Sequence, residues 1–339
     1  MLDNRDSYTK EKQNCYINLT LEKIKYIEEN SIKLMMSISC CMIVRDEEYY
    51  LEQALQSIKE LVDEIIIVDT GSLDRTVEVA KKYTNKIFNY KWDNDFSKAR
   101  NFALAKATKE WILVLDADEI ISKEDHGLIK ELVKNKQYDA YTFVQVSYTN
   151  DQKLLGFTLL PKKTPEAKDF AGFISCNVVR LFRNNKDIHF VNPVHESVDA
   201  SIKDKGKIMQ TMISIHHYQF AKGERIHKVK QLNYLKIYED KIDAFENKAK
   251  VYRDMGIIYY NFKEDYPKAI QYYKKSLLLN PNNLKTYLGL AIAYIKNKQL
   301  TEASETIKEA EKLQPQNKDV QRLKQYIDRV RELFNRRAG

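Results

Sequence analysis

Acidic side chains directly follow an apolar run in the middle of the chain. The run Trp111-Ile112-Leu113-Val114-Leu115 leads into Asp116-Ala117-Asp118-Glu119. A continuous apolar run of this kind predicts a strand that is buried on both faces. In an extended backbone, Asp116 and Asp118 would leave the strand from one face. Two carboxylates there suit a Mg²⁺ or Mn²⁺ ion that also holds phosphate oxygens.

A purely structural role would also explain these carboxylates. They would then belong to an acidic turn between a strand and a helix, with Ser122 and Asp125 forming a capping box. The two interpretations stay open on this stretch alone.

Strands and helices alternate on both sides of the acidic cluster. Buried strands are predicted over 37–44, which is followed by Arg45, and over 65–69, which ends in Asp69. Helices are predicted over 50–61, 75–83 and 96–107. Such alternation indicates βαβ units and a mostly parallel sheet, whose ligands bind at the carboxyl ends of the strands. The sequence therefore predicts the α/β class.

The region after the cluster contains a predicted strand over 139–146 and a loop around Pro161 and Pro165 that would cover the site. Three more strands are predicted near 174–182, 188–191 and 209–215. Histidines concentrate in this region, at His189, His195, His216 and His217.

Composition limits the class of protein. The chain has 339 residues, of which 43% are hydrophobic and 31% charged, enough for two folded domains. No apolar run is long enough to span a membrane, and the charged N-terminus lacks the apolar core of a secretory signal. The four cysteines have no CxxC spacing, so we expect reduced thiols, no zinc and a cytoplasmic location. The net charge is +8, and Lys and Arg occur all along the chain beside nearly as many Asp and Glu. No nucleic-acid-binding motif stands out, so we expect no nucleic-acid partner.

Two phosphate-binding loops are absent from the sequence. There is no G-x-G-x-x-G after the first strand and no G-x-x-x-x-G-K-[ST], which disfavours a dehydrogenase and a P-loop enzyme. A metal held by Asp116 and Asp118 would be the natural substitute for neutralising a diphosphate.

The last third of the chain repeats a helical pattern. Tyr252-x-x-Met255-Gly256-x-x-Tyr259 recurs as Tyr287-x-x-Leu290-Ala291-x-x-Tyr294, which is the tetratricopeptide pattern. First-helix positions are one residue further apart than second-helix positions, so we expect a one-residue insertion around 261–265. Helices near 226–238 and 320–333 would complete the stack.

The motifs together resemble glycosyltransferase family 2, whose members are inverting enzymes with the nucleotide-sugar-binding GT-A fold. The residues that carry the resemblance are Met42-Ile43-Val44-Arg45-Asp46-Glu47-Glu48, Ile67-Val68-Asp69-Thr70-Gly71-Ser72-x-Asp74-x-Thr76, Asp95-Phe96-Ser97-x-Ala99-Arg100-Asn101 and Leu115-Asp116-Ala117-Asp118-Glu119. Arg180-Leu181-Phe182-Arg183-Asn184 and Val194-His195-Glu196 are similar to a bacterial subgroup with tetratricopeptide repeats. The whole layout is similar to the sublancin-type (glycocin) peptide S-glycosyltransferases, which modify a cysteine of a bacteriocin precursor.

The resemblance implies roles for individual residues at the donor site. Asp69 would hydrogen-bond the uracil or ribose, and Arg45 with the backbone around Val44 would flank the base. Roles at the ribose, diphosphate and metal would fall to Arg100 (nucleotide), Asp116 (ribose), Asp118 (metal) and either His216, the first choice, or His195, the second. Each residue has an ordinary alternative: Asp69 could cap a helix, Arg100 could lie on a helix surface, and either histidine could be structural.

The resemblance also implies a single displacement at the anomeric carbon, for which a carboxylate removes the proton of the acceptor. Glu196 is our choice for this base because it lies in the histidine-rich element, and Asp95 and Glu119 are weaker candidates. If the acceptor is a cysteine thiol, the base matters less, because thiols ionise more readily than hydroxyls.

We therefore expect a helical extension over 1–36, a GT-A domain over 37–220 and a tetratricopeptide domain over 221–339. The expected reaction moves a sugar from a UDP-sugar, with UDP-glucose as the first candidate and Mn²⁺ or Mg²⁺ as the cofactor, to a peptide or protein. The linkage to Cys or to Ser/Thr stays open. The alternatives are a transferase for a cell-envelope saccharide and a non-catalytic scaffold. The repeats could hold the acceptor or join two subunits in a homodimer.

Overall fold

The computed structural model describes residues 36–338, apart from 153, 155, 168, 204 and 205, and describes no side chains from 332 onward. The helical extension expected over 1–36 lies outside the described residues, apart from residue 36.

The chain forms two compact units. The αβ unit runs up to Asp93 and continues over Ser97–Val191 and Ser197–Ala221. The helical unit comprises the chain from Lys222 onward together with two short segments, Asn94–Phe96 and Asn192–Glu196.

The αβ unit is built on one mixed sheet. Its strands are β1 (Ile38–Val44), β2 (Glu64–Asp69), β3 (Ile87–Asn89), β4 (Trp111–Val114), β5 (Glu119–Ile120), β6 (Ala140–Thr149), β7 (Thr158–Leu159), β8 (Gly172–Arg183) and β9 (Ile208–His217). The strand order is β3-β2-β1-β4-β8-β6-β9-β5, with β7 paired to β8. Strands β1 to β4 run parallel to one another, whereas β8 runs antiparallel to both β4 and β6.

Helices flank these strands, as the alternating sequence predicts. They are α1 (Leu51–Ile58), α2 (Thr76–Lys81), α3 (Phe96–Leu104), α4 (His126–Leu132) and α5 (Asp199–Lys203). The central strands β2 and β4 are buried at every residue, because apolar side chains on each face pack into a separate core. The predicted α/β class is confirmed.

One predicted strand does not form. Residues 188–191 are irregular, and only Val191 pairs, with its N–H and carbonyl bonded to Ser197 at 3.0 and 3.2 Å. The short apolar sequence there is buried by packing of Ile188 and Phe190 into the core rather than by sheet pairing.

The helical unit consists of α6 (Glu224–Lys241), α7 (Lys248–Ile258), α8 (Tyr266–Leu279), α9 (Leu284–Lys296), α10 (Leu300–Leu313) and α11 (Lys318–Ala338). The pairs α7/α8 and α9/α10 pack tightly, and α9 contacts α8 and α11. Among the described residues, no helix is both long and apolar enough to cross a membrane.

The extra residue between the two repeats is accommodated by a π-helix. Residues Tyr259–Lys263 form this π-helical turn directly after α7, and Glu264 closes it in the left-handed region with φ 54°. A π-turn absorbs one inserted residue without breaking the helix. The insertion thus lies where the unequal repeat spacing predicts it.

Two glycines make room for one buried tyrosine of the repeats. A Cβ at Gly256 would lie 2.8 Å from the ring of Tyr273, and a Cβ at Gly289 would lie 2.9 Å from it. The ring therefore packs directly against the backbone of α7 and α9, which explains why both positions carry glycine.

A buried carboxylate joins the strands at the sheet edge where the parallel strands begin. Glu64, the first residue of β2, accepts hydrogen bonds from Ser39, from Lys86 and from the N–H and hydroxyl of Thr108, the last two at 2.8 Å. Burial disfavours the charged carboxylate, but these donors outweigh it and lower the pKa of Glu64 to about 2.

We predict that Glu64→Gln lowers the free energy of unfolding at pH 7 by about 1–3 kcal/mol, since a buried acceptor set loses its charge. A lowered folded-state pKa stabilises the fold above the unfolded value near 4.3, and this stabilisation is lost as pH falls toward 2. Urea unfolding at pH 7 and pH 3 measures the effect, which should be smaller at pH 3. Glu110→Gln, at a half-exposed carboxylate, is the control; an equal loss at both pH values would contradict the assignment.

Candidate active site

The acidic cluster lies in a turn that follows β4. The strand ends at Val114, and the N–H of Glu119 donates to the carbonyl of Asp116 at 3.1 Å, which closes the turn. Our expectation that Asp116 and Asp118 leave one face of an extended strand is therefore wrong, because the backbone has already turned. The two carboxylates contact different partners.

The side chain of Glu119 stabilises this turn by a hydrogen bond to its backbone. Its side chain is fully buried, and one carboxylate oxygen accepts from the N–H of Asp116 at 2.9 Å. The other oxygen accepts from Arg180 at 2.6 Å and from the amide of Gln145. Burial raises the pKa of Glu119, although the charge of Arg180 opposes the shift. A carboxylate enclosed in this way is poorly placed to take a proton from a substrate.

Asp116 lies between two buried arginines. Its carboxylate accepts from Arg100 at 2.6 Å and from Arg180 at 3.4 Å, and its side chain is still 29% exposed. Burial alone would raise the pKa of Asp116, but the charges of Arg100 and Arg180 outweigh it and hold this pKa well below its usual range. Asp116 is therefore an ionised acceptor with one accessible side.

Arg100 is not a surface residue. It lies on α3, is 7% exposed, and its guanidinium is 5.5 Å from the centre of the Phe190 ring. Since its Nη2 is directed at Asp116, the guanidinium fixes that carboxylate, and any contact with a nucleotide would be shared with it.

Asp118 contacts a histidine at the end of β9. Its Oδ1 is 3.6 Å from Nε2 of His217, and both side chains are 8% exposed. The ladder between β5 and β9 holds the two together, because His217 pairs with Glu119 and the N–H of Tyr218 donates to the carbonyl of Asp118 at 3.0 Å.

His216, our first choice for the metal site, points away from Asp118. Neighbouring residues of a strand project to opposite faces, so His216 and His217 cannot both face the cluster. The ring of His216 instead bonds the hydroxyl of Tyr148 at 2.6 Å and that of Ser122 at 3.3 Å. The structure therefore favours His217 over His216 as the partner of Asp118.

The loop with the two prolines is anchored beside this strand. Glu166 of the loop accepts from the hydroxyl of Ser122 at 2.9 Å, and its carbonyl accepts from the hydroxyl of Tyr218 at 3.1 Å. Ser122 thus serves the loop and makes no capping bond to the short helix Lys123–Asp125. The capping-box alternative is wrong.

Asp69 ends β2 and organises the turn after it. Its carboxylate accepts from the hydroxyl of Ser72 at 2.6 Å, from the N–H of Ser72 at 3.1 Å and from the N–H of Gly71 at 3.3 Å. Gly71 adopts φ 108°, a conformation that favours glycine. Asp69 does not bond the first turn of α2; the N–H of Thr76, the first residue of that helix, donates to Asp74 at 2.9 Å.

Val44 and Arg45 lie at the end of β1, next to Asp69 in the ladder. The carbonyl of Val44 accepts from the N–H of Thr70 at 3.0 Å, and the side chain of Arg45 is 52% exposed. Both residues are at the edge that also carries Asp116 and Asp118, since β1 is paired with β2 and with β4 in parallel.

The remaining predicted site residues, Asp95, His195 and Glu196, belong to the helical unit. Asp95 is buried and lies 3.5 Å from Nζ of Lys241. His195 adopts φ 54°, in the left-handed region, and packs edge to face on Tyr234. Glu196 follows it and is half-buried.

The contact between Asp118 and His217 could hold part of a metal coordination shell. In the described part of the chain, no group of three or more His, Cys, Asp or Glu side chains is arranged to hold a metal ion. One carboxylate and one imidazole nevertheless fit a divalent ion that takes its other ligands from phosphate oxygens and water, as Mg²⁺ commonly does. His195, our second choice, belongs to the helical unit.

Comparison with known families decides what kind of domain this is. Residues 39–188 match the profile of Glycosyl transferase family 2, and residues 242–283 and 263–327 match tetratricopeptide repeats. The chain carries a glycosyltransferase family 2 domain followed by tetratricopeptide repeats. The resemblance found in the motifs is confirmed.

Curated relatives share parts of this layout. The SPbeta prophage-derived glycosyltransferase SunS of Bacillus subtilis is 27% identical over 253 residues, which cover 74% of this chain and 54% of SunS. An uncharacterized glycosyltransferase of Rickettsia felis is 30% identical over 198 residues, which cover 57% of this chain and 65% of that protein. A TPR repeat-containing protein of Synechococcus elongatus is 42% identical over 168 residues, which cover 50% of this chain and 37% of that protein. The chain thus spans between about a third and two thirds of these relatives' lengths.

Solved structures also align with the chain. The crystal structure of S. aureus TarS 1-349 aligns with a TM-score of 0.43 and 16% identity, covering 83% of this chain and 93% of TarS 1-349. The complex of TarS 1-349 with UDP-GlcNAc aligns with a TM-score of 0.42.

Sequence reasoning missed two residues that contact the acidic cluster, Arg180 and His217. Arg180 lies in a motif that we quoted, yet nothing in its spacing connects it with Glu119, 61 residues away. The sequence favours His216 over His217, because the motifs do not show which residue of β9 pairs with Glu119. A shift of one residue in this pairing would bring His216 to the cluster in place of His217. The signal that could have chosen between them is the alternation in Ile213-Ser214-Ile215-His216-His217, in which the buried Ile213 and Ile215 share a strand face with His217.

We predict that Arg180→Leu lowers the free energy of unfolding by about 3–5 kcal/mol, because Glu119 would stay buried without its cation. The double variant Arg180→Leu/Glu119→Gln should lose less than the sum of the single variants, and a double-mutant cycle in urea measures this coupling. Arg75→Leu, at an exposed arginine, should have far less effect. Additive losses in the cycle would show that the two side chains do not depend on each other.

Proposed function

We propose that the protein is an inverting, metal-dependent glycosyltransferase that moves a sugar from a UDP-sugar to a peptide or protein acceptor in the cytoplasm. The observation that carries the proposal is the contact of Asp118 with His217 at the edge where parallel strands end. Asp118 lies in the part of the chain that matches glycosyltransferase family 2, residues 39–188. Ligands of α/β sheets bind at this edge.

The nucleoside part of the donor has acceptors at the same edge. Asp69 uses one oxygen mainly for Ser72, so the other can accept a further hydrogen bond from a uracil N–H or a ribose hydroxyl. Asp116 is ionised and keeps one accessible side, which suits a ribose hydroxyl. Arg45 is exposed beside them and can lie against the base or a phosphate.

Asp118 and His217 would hold Mn²⁺ or Mg²⁺ together with the diphosphate oxygens. When bound there, the ion would supply positive charge against the negative charge of a leaving diphosphate. The sheet edge offers the diphosphate no glycine-rich loop, so this charge has to be met by cations. Arg100 and Arg180 are already neutralised by Asp116 and Glu119, which leaves the metal as the main counter-charge.

Glu196 is the proposed base that takes the proton of the acceptor. It follows His195 in a segment that also contains Asn192, and both of these residues have positive φ, 54° and 73°. Non-glycine residues in the left-handed region cost free energy and cluster at functional sites. Asp95, the weaker candidate, is buried and forms an ion pair with Nζ of Lys241 at 3.5 Å.

The tetratricopeptide repeats support a polypeptide acceptor, because stacked helical repeats commonly present an extended surface to peptides. The acceptor atom would be a cysteine sulfur or a Ser/Thr oxygen, and UDP-glucose is the first donor to test.

We predict that UDP binds in the presence of Mn²⁺ and that His217→Ala and Asp118→Asn each weaken this binding about tenfold or more, since each removes a proposed metal ligand. Isothermal titration with and without Mn²⁺ measures this. His216→Ala should retain binding. If His216→Ala abolished Mn²⁺-dependent binding and His217→Ala did not, the assignment would have to be reversed.

We predict that Glu196→Gln lowers the rate of sugar transfer about 10²- to 10⁴-fold while leaving Mn²⁺-dependent UDP binding unchanged, because a general base acts on the acceptor. Until an acceptor is known, the assay is the hydrolysis of UDP-glucose, in which water takes the place of the acceptor and the released UDP is measured. Asp95→Asn is the matched comparison. No loss of rate in Glu196→Gln would exclude it as the base, and no turnover of several UDP-sugars by the unchanged protein would favour the scaffold alternative.

A further inference from the structure

Positive charge is concentrated in the C-terminal third of the chain. Residues 222–339 contain 25 Lys and Arg against 15 Asp and Glu, whereas residues 1–221 contain 31 and 33. The net charge of +8 therefore comes entirely from residues 222–339 of the helical unit, which carry +10, whereas residues 1–221 carry −2. A charge separated in this way attracts an anionic partner to that unit.

Within the repeats, the charge lies mainly on the first helix of each pair. The first helices α7, α9 and α11, counted to residue 331, contain ten basic and three acidic residues. The second helices α8 and α10 contain five basic and four acidic residues. Helix α9 has no acidic residue, and its two basic residues, Lys285 and Lys296, lie at its two ends.

Apolar side chains are exposed at equivalent positions of these first helices. Ile257, Ile292 and Tyr326 are spaced by 35 and 34 residues, which is the repeat spacing. Their side chains are 38%, 37% and 53% exposed. Because α9 contacts both α7 and α11, the three positions form one row across neighbouring helices.

Basic side chains accompany this row on the same helix faces. Lys285 and Lys296 lie seven residues before and four after Ile292, and Arg322 lies four residues before Tyr326. Residues three, four or seven apart share a helix face. All three are exposed; Arg322 is 78% exposed and only loosely paired with Asp319 at 3.9 Å. We call these six residues the first-helix face: Ile257, Lys285, Ile292, Lys296, Arg322 and Tyr326.

We propose that the first-helix face binds an acidic polypeptide segment with regularly spaced apolar residues, as part of the acceptor. This inference rests on the proposed function, since it names the chemical class of the acceptor. Neighbouring packed helices are about 10 Å apart, and an extended peptide advances about 3.3 Å per residue. Apolar residues at every third position would therefore meet Ile257, Ile292 and Tyr326 in turn, and acidic residues between them would meet the basic side chains.

The spacing favours a peptide over a membrane surface. A membrane-binding helix presents a continuous apolar face, whereas here each first helix contributes one exposed apolar side chain to the row. The row matches a partner with the same periodicity as the repeats.

The test measures binding to the full chain by fluorescence anisotropy. The probe is a fluorescein-labelled 12-residue peptide with leucine at every third position and glutamate elsewhere. The comparison peptides carry lysine in place of glutamate, or serine in place of leucine. We expect the Glu/Leu peptide to bind about tenfold or more tightly than either comparison peptide, and to weaken as NaCl rises from about 50 to 500 mM.

Charge-reversal variants locate the site. Lys285→Glu/Arg322→Glu should weaken binding of the Glu/Leu peptide about tenfold or more, and Ile292→Ser should weaken it without changing its salt dependence. The matched control is Lys298→Glu/Lys308→Glu, which makes the same change in net charge at exposed lysines outside the face. Circular dichroism checks that each variant keeps its helix content.

The outcomes separate this inference from the proposed function. Equal weakening in both double variants, or equal affinity for all three peptides, would overturn the first-helix face. Binding to phosphatidylglycerol vesicles that depends on Lys285 and Arg322, with no peptide binding, would overturn it in favour of a membrane surface. Mn²⁺-dependent UDP binding is measured in parallel on the same variants. Normal UDP binding without peptide binding rejects this inference alone, whereas peptide binding without any UDP binding rejects the transferase and keeps the face.

Discussion

The buried contact between Arg180 and Glu119 is the constraint on which the acidic cluster depends. Glu119 has no exposure to water, and its carboxylate accepts a hydrogen bond from the backbone N–H of Asp116. The turn after β4 therefore depends on Arg180, which compensates the buried charge of Glu119. Burying a charge is costly unless it is paired and hydrogen-bonded. The same arginine reaches Asp116, and the pair of arginines around Asp116 leaves Asp118 as the carboxylate of this turn that contacts a histidine.

This arrangement divides the carboxylates into two kinds. Asp116 and Glu119 are neutralised by protein cations, whereas Asp118 faces an imidazole that carries charge only when it is protonated. A diphosphate at this edge would therefore lie beside two carboxylates that are already paired with arginines, and beside the contact of Asp118 with His217, which we propose as the metal site. The proposed reaction follows from this difference in compensation, more than from the number of acidic residues.

The helical unit separates stability from surface chemistry in a similar way. Tyrosines and small residues fill the interior of the repeats, where Gly256 and Gly289 admit the ring of Tyr273. The π-turn at Tyr259–Lys263 keeps the next repeat aligned despite one extra residue. Since the interior is specified by these positions, the exposed positions of the first helices can vary, and in this chain they carry the excess of positive charge.

The sequence by itself determined the α/β class, the buried strands β2 and β4, the helical repeats with their inserted residue and the family to which the motifs belong. These follow from local periodicity and from short motifs, which depend on near neighbours in the chain. Only the tertiary structure decided that Asp116 contacts two arginines, that His217 rather than His216 meets Asp118, and that Ser122 serves the loop of Glu166 instead of a helix cap. Each of these depends on the register and direction of strands far apart in sequence, and a shift of one residue along β9 would reverse which histidine faces the cluster.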